Sequence, residues 1–344
     1  MKNLVDMPLS LSVLDLAPIA SGTTPSQALR QTVDLARLTE RLGYTRYWFA
    51  EHHSIPSVAS SAPEVLIGHV ASATERIRVG SGGIMLPNHV PLRVAETFHT
   101  LEALHPGRID LGLGRAPGTD PVTSQALRPF PADQFPAQLT ELLALSRGEI
   151  PEDHPLRTVR VIPDDVELPP IWILGSSGAS ARLAGSLGLG YSFARHFSLT
   201  PAEPALEAYF ESFRPSSQFP EPSAILALAV VCADSDERAR HLAWTMDLSW
   251  VRLRSGQLGP LASPEEAMAY PYTPEERALA GAYRKLLVLG DPESVRSQIA
   301  ALAAEAGVQE VMISTNIYSH EERLRSYELV AQAFGLPGGL SGSR

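Results

Sequence analysis

Short apolar runs alternate along the chain with stretches in which apolar residues recur every three or four positions, the two periods of strand and helix. Runs near 9–15, 45–50, 77–83, 108–114, 171–175, 190–194, 224–232 and 309–314 read as strands. Helical stretches separate nearly every pair. Helix starts are legible because a Ser/Thr-Pro-x-Gln/Glu pattern supplies an N-cap hydroxyl, a proline at the first helical position and a partner side chain at the third. It occurs at Thr24-Pro25-Ser26-Gln27, Thr200-Pro201-Ala202-Glu203, Ser263-Pro264-Glu265-Glu266 and Thr273-Pro274-Glu275-Glu276, with Asp291-Pro292 as a variant. Behind the first of these, Leu35, Leu38 and Leu42 keep helical spacing until Gly43 stops the helix.

Eight strands alternating with helices predict a closed (β/α)8 TIM barrel as a single domain over residues 1–335. A doubly wound open sheet is the structural alternative. The Pro- and Asp-rich stretch 149–170 interrupts the alternation and reads as an excursion. The stretch 253–273, with Gly256, Gly259, Pro260, Pro264 and Pro271 and little periodicity, reads as a mobile lid. Residues 336–344 read as a frayed tail.

Composition narrows the function classes. The 344 residues are 44% hydrophobic, enough for a large core, and the net charge of −10 argues against a general nucleic-acid surface. The only lysines are Lys2 and Lys285. The one cysteine, Cys232, lies in an apolar run and reads as a packing residue; alone it forms no internal disulfide and no multi-cysteine metal site. No apolar stretch reaches the roughly 20 residues of a membrane span. The N-terminus carries Asp6 and Asp15 without a secretory pattern, so a cytoplasmic location is expected.

Candidate chemistry clusters where strands end. Trp48-Phe49-Ala50 runs into Glu51-His52-His53; Arg78-Val79-Gly80-Ser81 into Gly82-Gly83 and then Met85-Leu86-Pro87; Ile109 to Gly114 into Arg115. In a parallel barrel these ends share one face, where ligands bind. After Ile171-Trp172-Ile173-Leu174, the turn Gly175-Ser176-Ser177-Gly178 leads into an alanine-rich helix whose first N–H groups and dipole suit an anion. A tight, serine-capped turn explains the same residues. Gly112-x-Gly114 is not a dinucleotide fingerprint, because Pro117 stands where the third glycine would be. Arg115 has the fixed fork that suits a phosphate, or a structural ion pair. Glu51, His52 and His53 are too close in an extended chain to form a metal site by themselves, so proton transfer by an imidazole is the simpler use. Gly82-Gly83 removes side chains where backbone passes close to something flat, and Met85 and Leu86 could pack on a ring; plain core packing accounts for them as well.

Taken together, Trp48 to His53, Val79 to Pro87, Gly107 to Arg115, Leu174-Gly175-Ser176-Ser177 and Gly290 to Val295 resemble the bacterial-luciferase-like flavin monooxygenases in order and spacing. The single-chain oxidoreductase branch is the nearest match. The resemblance implies a (β/α)8 barrel that takes reduced FMN from a separate NAD(P)H-dependent flavin reductase. With dioxygen it would oxidise a small organic substrate, an aldehyde, ketone or similar, through a peroxyflavin. It carries a catalytic role to His52 and a non-proline cis peptide beside the flavin ring to Gly82-Gly83. Phosphate contacts fall to Arg115, Ser176 and Ser177, which the anion-binding turn at Gly175 extends, and ring packing falls to Met85. It also implies a homodimer. A reactive cysteine of the light-emitting subunits falls at Gly114 here and a second histidine at Val90, with His89 adjacent, so luminescence is not expected. Three alternatives stay open: a deazaflavin-dependent dehydrogenase, a metal-dependent hydrolase built on Glu51, His52 and His53, and a flavin-binding protein without turnover.

Overall fold

The computed structural model describes residues 9–127 and 130–338, so residues 339–344 of the expected tail lie outside it. Its strands are β1 (Ser10–Asp15), β2 (Arg46–Phe49), β3 (Arg78–Ser81), β4 (Ile84–Met85), β5 (Ile109–Gly114), β6 (Ile171–Gly175), β7 (Gly190–Ala194), β8 (Ala224–Cys232), β9 (Val288–Gly290) and β10 (Glu310–Ser314). Eight of them pair in parallel in the order β1-β2-β3-β5-β6-β7-β8-β10. The ring closes because Glu310 of β10 lies opposite both Ser10 of β1 and Ile225 of β8. This is the (β/α)8 barrel that the alternation predicts. The two short strands were not legible in the pattern: β4 pairs with the end of β5, and β9 with the last three residues of β8.

The helices that cover the barrel are α1 (Pro25–Leu42), α2 (Pro63–Ala73), α3 (Pro91–Leu104), α4 (Pro121–Ala126), α5 (Phe135–Arg147), α6 (Gly178–Ser186) and α7 (Glu203–Ser212). Then come α8 (Asp236–Leu242), α9 (Trp244–Ser255), α10 (Pro264–Ala269), α11 (Pro274–Arg284), α12 (Pro292–Ala306) and α13 (His320–Phe334). Capping boxes form at Thr24, Ser263 and Thr273, Asp291 caps α12, and Gly43 ends α1 in the left-handed conformation. Thr200 is the exception: α7 starts three residues later at Glu203, with Ala202 at its N-cap and no side-chain cap. The Thr200 N–H instead meets the Ser198 hydroxyl, which holds the chain in a turn before the helix.

The 253–273 segment is more regular than its composition suggests. It holds the end of α9 and all of α10, and Leu261 exchanges backbone hydrogen bonds with Ile19 and Ser21 in the loop after β1. Leu261, Ala262 and Ala267 are buried. The excursion 149–170 contains no helix or strand. Among the described residues no helix is long and apolar enough to cross a membrane.

Strand alternation sorts the side chains into two layers. Outward residues such as Val13, Tyr47, Phe49, Leu111 and Leu113 join the main core beneath the helices. Inward residues Leu14, Trp48, Trp172, Ile225 and Met312 fill the barrel itself. Two indoles fit because inward positions on neighbouring strands are glycines: a Cβ on Gly80 would lie 2.8 Å from the Trp48 Nε1, and one on Gly190 2.4 Å from the Trp172 ring.

Polar groups fix both ends of the barrel. At the end where the strands begin, Arg46 bonds Glu310 at 2.6 Å and Asp110 at 2.9 Å, Arg78 bonds Asp110 at 2.6 Å, and the Trp48 indole N–H donates to Asp110 at 3.0 Å. Between β1 and the helix layer, fully buried Asp15 pairs with Arg323 of α13 at 2.6 Å and accepts from Thr32 and Tyr47. Burial pushes the Asp15 carboxyl up, but the Arg323 charge and these hydroxyl donors outweigh it and hold the group below its ordinary value.

Arg323→Met leaves that carboxylate buried and unpaired, and is expected to cost about 3–5 kcal/mol of unfolding free energy near neutral pH. Because Asp15 titrates lower folded than unfolded, the pair's contribution is complete above the ordinary value of 3.8 and fades as pH falls through the folded value. The gap between wild type and variant should therefore narrow in acid, as denaturant titrations at the two pH values would show.

Candidate active site

The strands deliver their polar residues at their C-terminal ends, on one rim. Past the end of β2, Ala50 is buried and the chain continues as Glu51-His52-His53. It is held by backbone bonds from the His52 N–H to Ser60 O at 2.9 Å and from the His53 N–H to Gly118 O at 3.1 Å. Ser54 then takes a positive φ of 57° and turns the chain away.

Glu51 is the hub of this rim. Its carboxylate has no solvent exposure and accepts from His53 Nε2 at 2.9 Å, His89 Nε2 at 2.9 Å, the Met85 N–H at 2.8 Å and Asn88 Nδ2 at 3.2 Å. Burial favours its neutral form, yet the donors from His53 and His89, the His89 charge and the Met85 N–H hold the pKa down at about 2. Burial likewise opposes a charge on His89, but the hydrogen bonds and charge of Glu51 lift it above its ordinary value. When protonated, the half-buried His89 forms an ion pair with buried Glu51 between the β2 and β4 rim segments. The sequence marks Glu51 only as a metal-ligand candidate and leaves His89 and Asn88 unassigned; the polar pair Asn88-His89 directly after Pro87 is the signal for them. Because N–H donors occupy both Glu51 oxygens, the carboxylate is not presented to a metal. Among the described residues no group of three or more His, Cys, Asp or Glu side chains is arranged to hold a metal ion.

His52 points elsewhere. Its Nδ1 is buried and has no hydrogen-bond partner. Burial, assisted by the neighbouring His53, overrides the pull of Glu51 and lowers its pKa to about 4. At neutral pH it is an uncharged imidazole able to give or take one proton at an unoccupied nitrogen.

The Gly82-Gly83 bond is cis. Crowding here comes from the protein itself: a Cβ on Gly82 would lie 2.8 Å from Leu14 Cδ1, and one on Gly83 2.7 Å from the Gly112 carbonyl oxygen. Barrel packing alone therefore demands Gly83, where the obstacle is backbone, whereas at Gly82 the nearest atom is the end of a leucine side chain that can shift. Met85 ties its N–H to Glu51, while its side chain lies along β5, its sulfur 2.7 Å from where a Gly114 Cβ would stand.

On the neighbouring strands Leu113 pairs with Ile173, so Arg115 and Gly175 leave the rim side by side two residues later. Arg115 is exposed and, among the described residues, has no hydrogen-bond or ion-pair partner. The structural ion pair open to it from sequence is absent. Ser176 is half-buried and Ser177 exposed; Ser177 is the N-cap of α6, yet its side chain does not cap the helix. The turn is braced from below, where the Ser180 and Tyr191 hydroxyls both donate to the Ser177 carbonyl, at 2.9 and 3.3 Å. An open helix N-terminus beside an unpaired guanidinium is an anion site by physical chemistry. One rim thus presents Glu51, His52, Gly82, Gly83 and Met85 on β2 to β4 and Arg115, Gly175, Ser176 and Ser177 on β5 and β6.

Glu51→Gln keeps the shape of the hub and removes its charge. It is expected to lower the His89 pKa back toward the ordinary 6.5 and to leave His52 neutral at physiological pH. Histidine-resolved NMR titration reads both, and an unmoved His89 would contradict the ion pair.

Comparison with known proteins agrees with this geometry. The family model described as luciferase-like monooxygenase matches residues 9–310. The protein YvbT of Bacillus subtilis (strain 168) is 46% identical over 326 residues, covering 94% of this chain and 96% of that protein. A luciferase-like monooxygenase of Escherichia coli (strain K12) is 41% identical over 329 residues, covering 95% and 97%. The crystal structure of apo-MsnO8 superposes with a TM-score of 0.85 at 37% identity, covering 95% of this chain and 99% of that one. The fold alone is shared, at 19% and 16% identity and TM-scores of 0.70, with the oxygenating constituent of 3,6-diketocamphane monooxygenase in complex with FMN and with an F420-dependent secondary alcohol dehydrogenase. The inward glycines, the polar rim and the match over residues 9–310 lead to one conclusion: this chain belongs to the luciferase-like monooxygenase family.

Proposed function

We propose that the protein is an FMN-dependent monooxygenase that oxidises a small organic substrate with dioxygen. The observation that carries the reading is the unpaired Arg115 beside the uncapped start of α6, on the same rim as the neutral, unpartnered His52. Reduced flavin, when bound, supplies the electrons that activate oxygen. Arg115 and the Gly175-Ser176-Ser177 turn would hold its phosphate, and the Gly82-Gly83 backbone with Met85 would support the ring. His52 would take up or return a proton through its imidazole, with Glu51 fixing the segment that carries it. The 253–273 segment, hydrogen-bonded to the loop after β1, would shield the mouth from water. As in the resemblance read from sequence, the flavin would arrive reduced from a separate reductase, and the working unit would be a cytoplasmic homodimer.

The fold is shared with structures of both FMN and F420 enzymes, so the cofactor is the first thing to test. The purified protein is expected to bind reduced FMN anaerobically and, on mixing with oxygenated buffer, to slow the return of the oxidised-flavin absorbance. Tight binding of F420 with no binding of FMN would overturn the reading in favour of a dehydrogenase.

Arg115→Ala removes a charge-assisted contact and is expected to weaken FMN binding about 10- to 100-fold while leaving riboflavin binding unchanged. Equal losses for the two flavins would mean that Arg115 does not meet the phosphate. His52→Ala is expected to spare FMN affinity and to lower the yield of oxygenated product per reduced flavin by about 100-fold or more. An unchanged yield would sink the assignment of His52.

A further inference from the structure

Arg115 stands at the start of the loop between β5 and α4, and three hydrogen bonds tie that loop to the rest of the rim. The Pro117 carbonyl accepts from Asn88 Nδ2 at 3.0 Å, the Gly118 carbonyl accepts from the His53 N–H at 3.1 Å, and the Thr119 hydroxyl donates to the His53 carbonyl at 2.6 Å. All three reach the β2 or β4 rim segments. Gly118 lies directly against the hub: its φ is 66°, and a Cβ there would stand 2.7 Å from the Glu51 carbonyl oxygen and 3.3 Å from Met85 Cγ.

The bond from half-buried Asn88 differs from the other two, because the same Nδ2 also donates to Glu51 Oε1 at 3.2 Å. Both partners are oxygens that can only accept, so the amide must turn its nitrogen toward them and divide its two N–H groups between the carboxylate and the loop. Among the described residues, Asn88 is the one side chain hydrogen-bonded to both. Pro117, the residue it holds, is two positions from Arg115, which leaves β5 beside Gly175 of β6. The backbone after Gly82-Gly83 does not need this link, since the Met85 N–H reaches Glu51 Oε2 directly at 2.8 Å.

We propose that Asn88 is a positioning residue for the anion site at the start of α6: it hangs the loop after β5 on the Glu51 carboxylate and so sets where Arg115 stands. Asn88 acts through Arg115 and not on the ligand, and its role rests on the reading of Arg115 as a flavin-phosphate contact. A loop ordered before the ligand arrives loses little further freedom on binding, which is what the link contributes to affinity. Releasing the Pro117 carbonyl loosens the segment that carries the guanidinium and leaves Gly82, Gly83 and Met85 in place. The loss therefore falls on the phosphate and spares the ring.

Equilibrium titrations with oxidised FMN and with riboflavin, which lacks only the phosphate, test this as a ratio of affinities. Asn88→Ala and Asn88→Leu, the second close to asparagine in size but without a donor, should each lower FMN affinity about three- to tenfold and leave riboflavin affinity unchanged. Retained riboflavin binding shows that the barrel is intact. The double variant Asn88→Ala/Arg115→Ala should discriminate between the two flavins no worse than Arg115→Ala alone, since nothing is left to position. If Arg115→Ala loses discrimination but both Asn88 variants keep it, lose both flavins equally, or add their full effect to that of Arg115→Ala, the proposal is overturned and the phosphate reading stands. Unchanged discrimination in Arg115→Ala, or no FMN binding by wild type, overturns the phosphate reading and the role of Asn88 with it.

Discussion

A single carboxylate without access to water organises the rim of this barrel. Glu51 satisfies its oxygens with two imidazoles, an amide side chain and a backbone N–H, all but His53 drawn from the 85–89 segment that follows β4. A buried charge is tolerable only when such donors surround it, and once they do, neither segment can move without stranding it. The position of His52 follows from that constraint, since it lies between the hub and His53 on a backbone fixed at both ends. The hub explains why two adjacent histidines behave so differently. His53 turns toward the carboxylate, whereas His52 turns away into a desolvated space and is kept neutral.

The same logic separates the two ends of the barrel. Where the strands begin, Arg46, Arg78, Asp110 and Glu310 pair with one another, which makes that end a closed and mutually satisfied network. Past the strand ends, Arg115 and the buried Nδ1 atoms of His52 and His196 have no partners among the described residues. Between the ends, Trp48 and Trp172 stand against inward glycines and fill the interior.

Membership of the luciferase-like monooxygenase family joins these observations to oxidoreductase chemistry. The open start of α6 beside Arg115 has the character of an anion site, and His52 is an uncharged imidazole at neutral pH. The structure also changes the meaning of two sequence features. Gly83 is required by the barrel wall before any cofactor is considered, and the 253–273 segment is held by backbone hydrogen bonds to the loop after β1.

Much of this was legible in the chain because the signals are local. Strand and helix periods, capping hydroxyls and prolines act within a few residues, so the eight barrel strands and the starts of α1, α10, α11 and α12 could be read directly. Thr200 shows the limit, since Ser198 captures its N–H and α7 begins two residues later than the pattern predicts. The polar strand ends at Glu51 to His53, Gly82-Gly83, Arg115 and Gly175 to Ser177 were also visible, as a list without geometry. Tertiary structure alone decided that Glu51 pairs with His89 from 38 residues away and that Arg115 has no partner among the described residues. Sequence determines what each segment can form by itself; burial and partnership, which set charge and chemistry, exist only once distant segments are brought together.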